Sequence, residues 1–445
     1  MSMMLRCLLF AFVLGLAGCS RSVSPPNLLL ITVDTLRADR LHCYGYGPSV
    51  SPAIDALADH GLLFERCLSQ ASLTIPSLSS LMTGRYPSEI GAKSNSTPLT
   101  NTGDCLATAL KRRGFRTAAF VCNFNLRPGM RFNRGFDHYD AEFTDPEPNR
   151  PDIQERRAPA ATDAALDWLE TNRDAPFFVW IHFQDPHGPY LPPLEFTPSK
   201  AGYPSVELPI MKMNYGQGGI PKYQAVDGSR DAADYRARYD GEIRFLDHHL
   251  ERLFAALDLD DTVVVFTADH GESMGEHAYW FSHGQDLHNE LIRVPLIVAG
   301  AGVEPGRSSD PVGLVDVYPT LLTLAGERHD AHGIDLLDPD AREKSRFLFS
   351  ETDNPASKSF FKSVTMGPWK LIHSRYANHP SLLFNTRNDP GETDNVIAAH
   401  PEVVKSLTRI IEAVKKRAKE GGDNAPLDLS EEEIRVLEAL GYTGK

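Results

Sequence analysis

The stretch Ser72-Leu73-Thr74-Ile75-Pro76-Ser77-Leu78-Ser79-Ser80-Leu81-Met82-Thr83-Gly84-Arg85 decides how the rest of the chain is read. Pro76 suits a first helical position, where its missing N–H is an orphan in any case. Thr74 is the right residue type to stand at or beside the N-cap. Leu78, Leu81 and Met82 recur at three- and four-residue steps and give the helix an apolar face, and Gly84 supplies a C-terminal stop. The spacing predicts a short helix with a hydroxyl at its mouth, where free N–H groups and the positive end of the dipole favour an anion. Spacing alone fits a plain Thr-capped helix under a loop at least as well.

Upstream, residues 27–33 (N-L-L-L-I-T-V) form a continuous apolar run, as expected of a parallel strand buried on both faces, with Asp34 at its carboxyl end. Residues 52–63 read as a helix with Ile54, Leu57, Leu62 and Leu63 on its apolar side. Downstream, 106–113 reads as a helix ended by Gly114, and 116–122 as a buried strand with Asn123 beyond it. Residues 137–157 are acidic and Pro-containing and read as loop. A helix over 160–171, with Pro159 just ahead of it, and a strand over 176–183 come next. That strand delivers Asp185-Pro186-His187-Gly188-Pro189-Tyr190, while His182 inside it reads as a satisfied structural histidine. Residues 191–228 run long with little periodicity, which marks a lid or specificity element. Tyr239, Ile243, Leu246, Leu250 and Leu253 trace one face of a long helix. The apolar run 262–267 ends in Ala268-Asp269-His270-Gly271-Glu272, and an adjacent carboxylate and imidazole at a strand end suit a divalent cation. After about residue 327 the composition changes. Residues 369–372 and 382–385 read as antiparallel strands and 403–419 as an amphipathic helix. Ser430-Glu431-Glu432-Glu433 reads as a capping box opening a last helix.

With 445 residues the chain can build one large α/β domain and a smaller one. A net charge of −14, with no basic run, argues against nucleic acid as a partner. It leaves an anionic small substrate open, because a bound cation reverses the local sign. Residues 1–19 read as a signal peptide: an apolar run too short to span a bilayer ends in Leu16-Ala17-Gly18-Cys19, which resembles a lipoprotein lipobox. The expectation is export, acylation of Cys19, and attachment to the cell envelope (periplasm, outer membrane or cell surface) through a tether at 20–26. Four cysteines remain, Cys43, Cys67, Cys105 and Cys122, and an exported compartment permits disulfides in any of three pairings.

Six motifs in order carry a resemblance. They are V-D-T-L-R-A-D (33–39), T-x-P-S-x-x-x-x-M-T-G-R (74–85), D-P-H-x-P-Y (185–190), T-A-D-H-G-E (267–272), Gly284 and Glu290 leading into R-V-P-L-I-V (293–298), and D-P-x-E-x-x-N (389–395). Together they resemble the sulfatase family within the alkaline phosphatase superfamily. The chain departs from that pattern at Thr74, where the family has the Cys or Ser oxidised to formylglycine. It departs again at Leu78, where the family has Arg, and at Thr35, where it has a second Asp.

The resemblance implies an α/β, alkaline-phosphatase-like fold: a large mixed, mostly parallel sheet sandwiched by helices over 27–327, and a smaller C-terminal α+β subdomain over 328–445. It implies one divalent cation (Ca²⁺, Mg²⁺ or Mn²⁺) held by Asp34, Asp269 and His270, with Thr74 as a further ligand and the nucleophile. His187 would bind or protonate the leaving oxygen, and His283 would hold a non-bridging oxygen. Asn123, or else Asn125, would touch the substrate anion. Arg37 and Asp39 would support or cap, and His277 and His288 look peripheral.

The transferred group turns on Thr74. A formylglycine hydrate can expel sulfate by collapsing to the aldehyde, an exit closed to a sulfated Thr. A phosphorylated Thr can be attacked in line by water or an alcohol. The expected function is therefore a metal-dependent hydrolase of sulfate or phosphate esters, leaning to phosphodiester hydrolysis or transfer. Its substrate would be an anionic ester of a glycan, lipid or small molecule. Two alternatives stand beside it, a non-catalytic binding relative and a sulfuric ester hydrolase that lacks formylglycine.

Overall fold

Asn27–Val33 is strand β1, and every residue in it after Asn27 is buried, which explains the absence of polar alternation in its sequence. In this computed structural model the described residues are 24–99, 103–214, 216–354, 359–375 and 380–419. Cys19 with its signal segment, and the helix expected after Ser430, lie outside them. After β1 come α1 (Pro52–Asp59), β2 (Gly61–Leu68), α2 (Thr74–Thr83), α3 (Leu106–Arg112) and β3 (Arg116–Val121). Next are β4 (His138–Asp140), β5 (Asp145–Glu147), β6 (Arg150–Glu155), α4 (Ala158–Thr171), β7 (Phe177–Phe183) and the long α5 (Ala232–Ala255). Beyond α5 lie β8 (Thr262–Ala268), β9 (Ser273–Met274), β10 (Trp280–Ser282), α6 (Asn289–Ile292), β11 (Arg293–Val294), β12 (Leu296–Gly300), β13 (Gly306–Gly313) and α7 (Val317–Leu324). The described chain closes with α8 (Pro339–Arg342), β14 (Phe347–Asn354), β15 (Ser359–Met366), β16 (Trp369–Ser374), β17 (Leu382–Asn385) and α9 (Pro401–Lys419).

Nine strands make the main sheet in the order β11-β2-β12-β8-β1-β7-β3-β4, with β13 pairing β2. β8, β1, β7, β3 and β4 run parallel, and β12 is antiparallel to both its neighbours. Helices cover the sheet; on α5 the face carrying Tyr239, Ile243, Leu246, Leu250 and Leu253 is fully buried. The mixed α/β architecture read from the sequence is the one observed. A separate antiparallel sheet, β14-β15-β16-β17, packs its apolar face on α9 through Val364, Leu371, Leu407, Ile411 and Val414.

Several local expectations are corrected. Leu62 and Leu63 belong to β2 rather than to the helix before it. Gly61 separates the two, because a Cβ there would meet the Val298 carbonyl oxygen at 2.6 Å, so only glycine lets β12 approach. Residues 137–157 are not plain loop; they hold β4 and the antiparallel β5–β6 hairpin. Pro159 lies inside α4, in its first turn. Thr74 is itself the first residue of α2, after the extended Leu73, and Pro76 is the third. That turn has no i→i−4 partner for its N–H, so proline is tolerated there as well. All ten residues of α2 are buried, so the expected apolar face is a helix sunk in the molecule on every side. Gly84 closes it in the left-handed region at φ 66°, as its sequence position predicts. The four described cysteines are free thiols.

Candidate active site

Four neighbouring parallel strands end together. β1 delivers Asp34, β8 delivers Asp269 and His270, β7 leads to His187, and β3 leads to Asn123. Backbone bonds lock the ends in register: the Asp34 N–H donates to Phe183 O at 3.0 Å and the Asp269 N–H to Val33 O at 3.1 Å. Opposite them α2 presents the Thr74 hydroxyl, with Oγ1 3.4 Å from His270 Nε2.

Each carboxylate is half satisfied. Asp269 Oδ1 accepts from the Thr35 and His270 amides at 3.2 and 2.7 Å, whereas Oδ2 has no partner. Asp34 Oδ2 accepts from Asn123 Nδ2 at 2.5 Å, whereas Oδ1 has no partner. His270 donates Nδ1–H to the Gly271 carbonyl at 2.9 Å, which turns its Nε2 lone pair towards both free oxygens, at 3.8 Å from Asp34 Oδ1 and 3.5 Å from Asp269 Oδ2. Buried oxygens without donors are costly. Two carboxylate oxygens, an imidazole nitrogen and a hydroxyl converging in this way fit a divalent cation.

Electrostatics agree. Asp269 is driven well above the ordinary carboxylate range by burial and by the charge of Asp34. Burial also opposes ionisation of Asp34, but His187, His182 and His270 hold it well below that range. Burial and mutual repulsion thus oppose ionising both acids together, and a cation between them would relieve that opposition. Burial lowers His270 to about 4, so it is neutral and able to ligate at neutral pH.

His182 corrects the sequence reading. Its Nδ1 is 2.8 Å from Thr32 Oγ1, which also accepts from Trp180 Nε1, but its Nε2 has no hydrogen-bond partner and points to Asp34 Oδ2 at 3.8 Å. Asp34, His182 and Asp269 present ligand atoms within 4.8 Å of one another. No sequence signal separates such a histidine from a structural one; only the register of β7 against β1, which pairs Thr32 with His182, puts it there. Asn123 spends one N–H on Asp34, and its Oδ1 accepts from the Asn125 amide, so it fastens the carboxylate.

His187 donates Nδ1–H to the Gly188 carbonyl at 2.7 Å, leaving Nε2 to face the site. His283 lies against both His270 and His187, with ring centroids 4.6 and 5.2 Å apart. Its Nδ1 is 3.1 Å from Oε1 of Glu272, whose Oε2 accepts from Tyr190 OH at 3.0 Å. Sequence reasoning assigned Glu272 no part, although it stands in the T-A-D-H-G-E run. Burial raises it to about 7 against the opposing pull of His187, His270 and the Tyr190 hydroxyl. Arg37 donates to the Glu272 carbonyl and pairs with Asp39, so both support the loop from outside. Tyr223 and Gln224, near the end of the long segment after Tyr190, lie against the His187 turn. The ring centroids of Tyr223 and His187 are 6.2 Å apart, and Gln224 packs on Gly188. The β5–β6 hairpin is fastened to that segment through Asn149, which donates to the Tyr223 and Ala225 carbonyls.

Gly271 leaves no room for a side chain: a Cβ would stand 2.1 Å from the Glu290 carbonyl oxygen. Gly271→Ala is expected to cost about 1–3 kcal/mol in urea unfolding, by overpacking against backbone. An unchanged midpoint would show that the 284–292 segment yields freely.

His277 and His288 serve the packing of the C-terminal segment. Their rings stack at 3.6 Å, and His277 bridges Glu290 Oε1 at 2.8 Å and the Glu392 carbonyl at 3.0 Å, tying the main sheet to the C-terminal segment. Burial works against charging His277, but Glu290 and the carbonyl outweigh it and raise it from 6.5 to about 9. A raised folded-state value means that this contribution is complete below about pH 6.5 and is lost as pH rises through about 9. Urea midpoints are expected to fall across that window in the wild type and to fall less in Glu290→Gln; parallel profiles would refute the assignment.

The family model described as Sulfatase matches residues 26–327. Among curated proteins, the chain is 26% identical to a choline-sulfatase of Rhizobium meliloti, over 83% of this chain and 82% of that protein. It is 28% identical to the multifunctional alkaline phosphatase superfamily protein PehA of Trinickia caryophylli, over 83% of this chain and 91% of that one. Among solved structures, the phosphonate monoester hydrolase of Agrobacterium radiobacter superposes with a TM-score of 0.70 at 21% identity, covering 88% of this chain and 96% of that one.

Proposed function

The chain belongs to the sulfatase family of ester hydrolases, and from that premise we propose that it cleaves phosphate esters, phosphodiesters foremost, with unmodified Thr74 as nucleophile. The observation that carries this reading is a secondary alcohol, Thr74, at the first position of α2 beside His270 and the free oxygens of Asp34 and Asp269. Threonine cannot be oxidised to an aldehyde hydrate, so the intermediate has to be resolved by attack on the transferred atom. Phosphorus permits this in line far more readily than sulfate sulfur. A phosphonate monoester hydrolase shares this fold, and the similarity to a choline-sulfatase makes sulfate the comparison to test.

Asp34, Asp269, His270 and Thr74 would hold the cation, with His182 Nε2 as a further donor. When bound, Ca²⁺, Mg²⁺ or Mn²⁺ supplies charge that acidifies the Thr74 hydroxyl and neutralises the transferred group. Thr74 gives up its proton to solvent as Oγ1 attacks phosphorus; the bond from phosphorus to the first alcohol's oxygen breaks, and that oxygen takes up a proton relayed from solvent through His187 Nε2, whose Nδ1–H stays on the Gly188 carbonyl. With the protonated form of Glu272 donating to its Nδ1, His283 carries its own proton on Nε2 and donates it to a non-bridging oxygen. Water then attacks the phosphothreonine, releases the phosphomonoester and restores Thr74. The test is a turnover panel of aryl sulfate, phosphomonoester and phosphodiester with each cation. Preferred phosphodiester turnover is expected; preferred sulfate turnover would overturn the reading.

A further inference from the structure

A cavity of about 270 Å³ lies at the seam between the main sheet and the C-terminal sheet, and it shares no lining residue with the Thr74 site. Four cations from four strands reach it: Arg66 of β2, Arg293 of β11, Arg307 of β13 and Lys370 of β16. Glu65 is the one carboxylate among its lining residues. Lys370 is neutralised by Glu392 at 2.7 Å, and Arg307 pairs with Glu65 at 3.2 Å. The other two have neutral partners. Arg293 donates Nε–H and Nη2–H to the Glu65 carbonyl, and Arg66 donates Nε–H to the Ser309 carbonyl at 2.7 Å. Nearby Asp310 already pairs with Arg342.

Asp310 and Asp39 offset Arg66 and Arg293 only from outside the lining, so the lining itself holds an excess of positive charge in a chain whose net charge is −14. Burial and the fields of Arg387 and Arg293 weaken the hold of Arg66 on its proton despite Asp310 and Glu65, so like charges are kept together at a cost. Planar guanidinium forks match oxyanions in geometry as well as charge. The volume falls below the roughly 300–1,000 Å³ of pockets that enclose organic ligands, which favours a compact tetrahedral group.

We propose that this seam is an accessory binding site for a sulfate or phosphate group, distinct from the site where the ester is cleaved. The group could be a free ion or the end of a sulfated or phosphorylated sugar.

The test is thermal unfolding of the purified protein in sodium sulfate, sodium phosphate or glucosamine 6-sulfate, each against sodium chloride at equal ionic strength. The proteins compared are wild type, Thr74→Ala, Arg66→Ala and Arg307→Ala. The expected result is a saturable rise in midpoint that persists in Thr74→Ala and needs at least tenfold more anion in Arg66→Ala. Arg307→Ala, a different contact to the same cavity, is expected to weaken it as well, and ester turnover in Arg66→Ala is expected to stay unchanged. A response to the inorganic ions identifies a free-ion site, and a response confined to glucosamine 6-sulfate identifies a sugar-borne group. A rise equal in all four proteins, a rise lost in Thr74→Ala alone, or no rise beyond chloride would overturn the proposal. Because the seam is read from the loss of the anion response in Arg66→Ala and the phosphodiesterase reading from the ester turnover panel, the two failures are distinguishable.

Discussion

Thr74→Ala is expected to lower kcat for the preferred ester by on the order of 10³-fold or more, while leaving the fold and cation binding through Asp34, Asp269 and His270 largely in place. The side chain is buried at the start of α2, and its hydroxyl reaches His270 Nε2 at 3.4 Å. Alanine removes the only oxygen that α2 offers at that point without opening a large void. Thr74→Ser keeps the hydroxyl and is expected to retain most of the turnover. Mass spectrometry during turnover is expected to find a phosphoryl group on Thr74 in the wild type and none in the alanine variant. Full turnover by Thr74→Ala, with water attacking the ester directly, would remove the nucleophile from the mechanism.

The second large effect concerns the cation. A ligand that binds only the folded chain stabilises it by about 4 kcal/mol at a thousandfold excess over Kd, so chelation is expected to lower the unfolding midpoint and abolish turnover together. In Asp269→Asn the amide oxygen can still accept from the Thr35 and His270 amides, but one of the two opposed acids is gone. Metal-dependent stabilisation is expected to disappear in this variant, while the metal-free form becomes at least as stable as metal-free wild type, because the pair Asp34–Asp269 no longer competes for ionisation. Calorimetric titration with Mn²⁺ and Ca²⁺ checks the first half, and urea unfolding in chelator checks the second. Unaltered cation affinity would mean that the ion is held elsewhere.

Much of this site is written in the chain's own pattern. The apolar runs at β1, β3, β7 and β8 mark strands buried on both faces, because no polar alternation interrupts them. Asp34, Asn123, the His187 turn and Asp269-His270 stand just beyond those runs, so the pattern alone places them at a carboxyl edge of the sheet. Local chemistry also set the Gly84 stop and the helix α2 that it ends. Less was legible where pairing is non-local. Leu62 and Leu63 of β2 continue the apolar spacing of α1, and the β5–β6 hairpin is short and polar, so the strand character of both comes from their neighbours.

Four features of the molecule were settled by tertiary structure alone. The half-satisfied state of each carboxylate depends on amides from other elements. The free Nε2 of His182 depends on the register of β7 with β1. The role of Glu272 depends on Tyr190 and His283 reaching it from separate loops, and the cationic seam depends on two sheets meeting. The sequence by itself determined which residues stand at strand ends, because burial of a run is written in its composition. Which of their atoms remain without a partner was decided only by packing, because a hydrogen bond between residues far apart in the chain leaves no trace in the spacing of either.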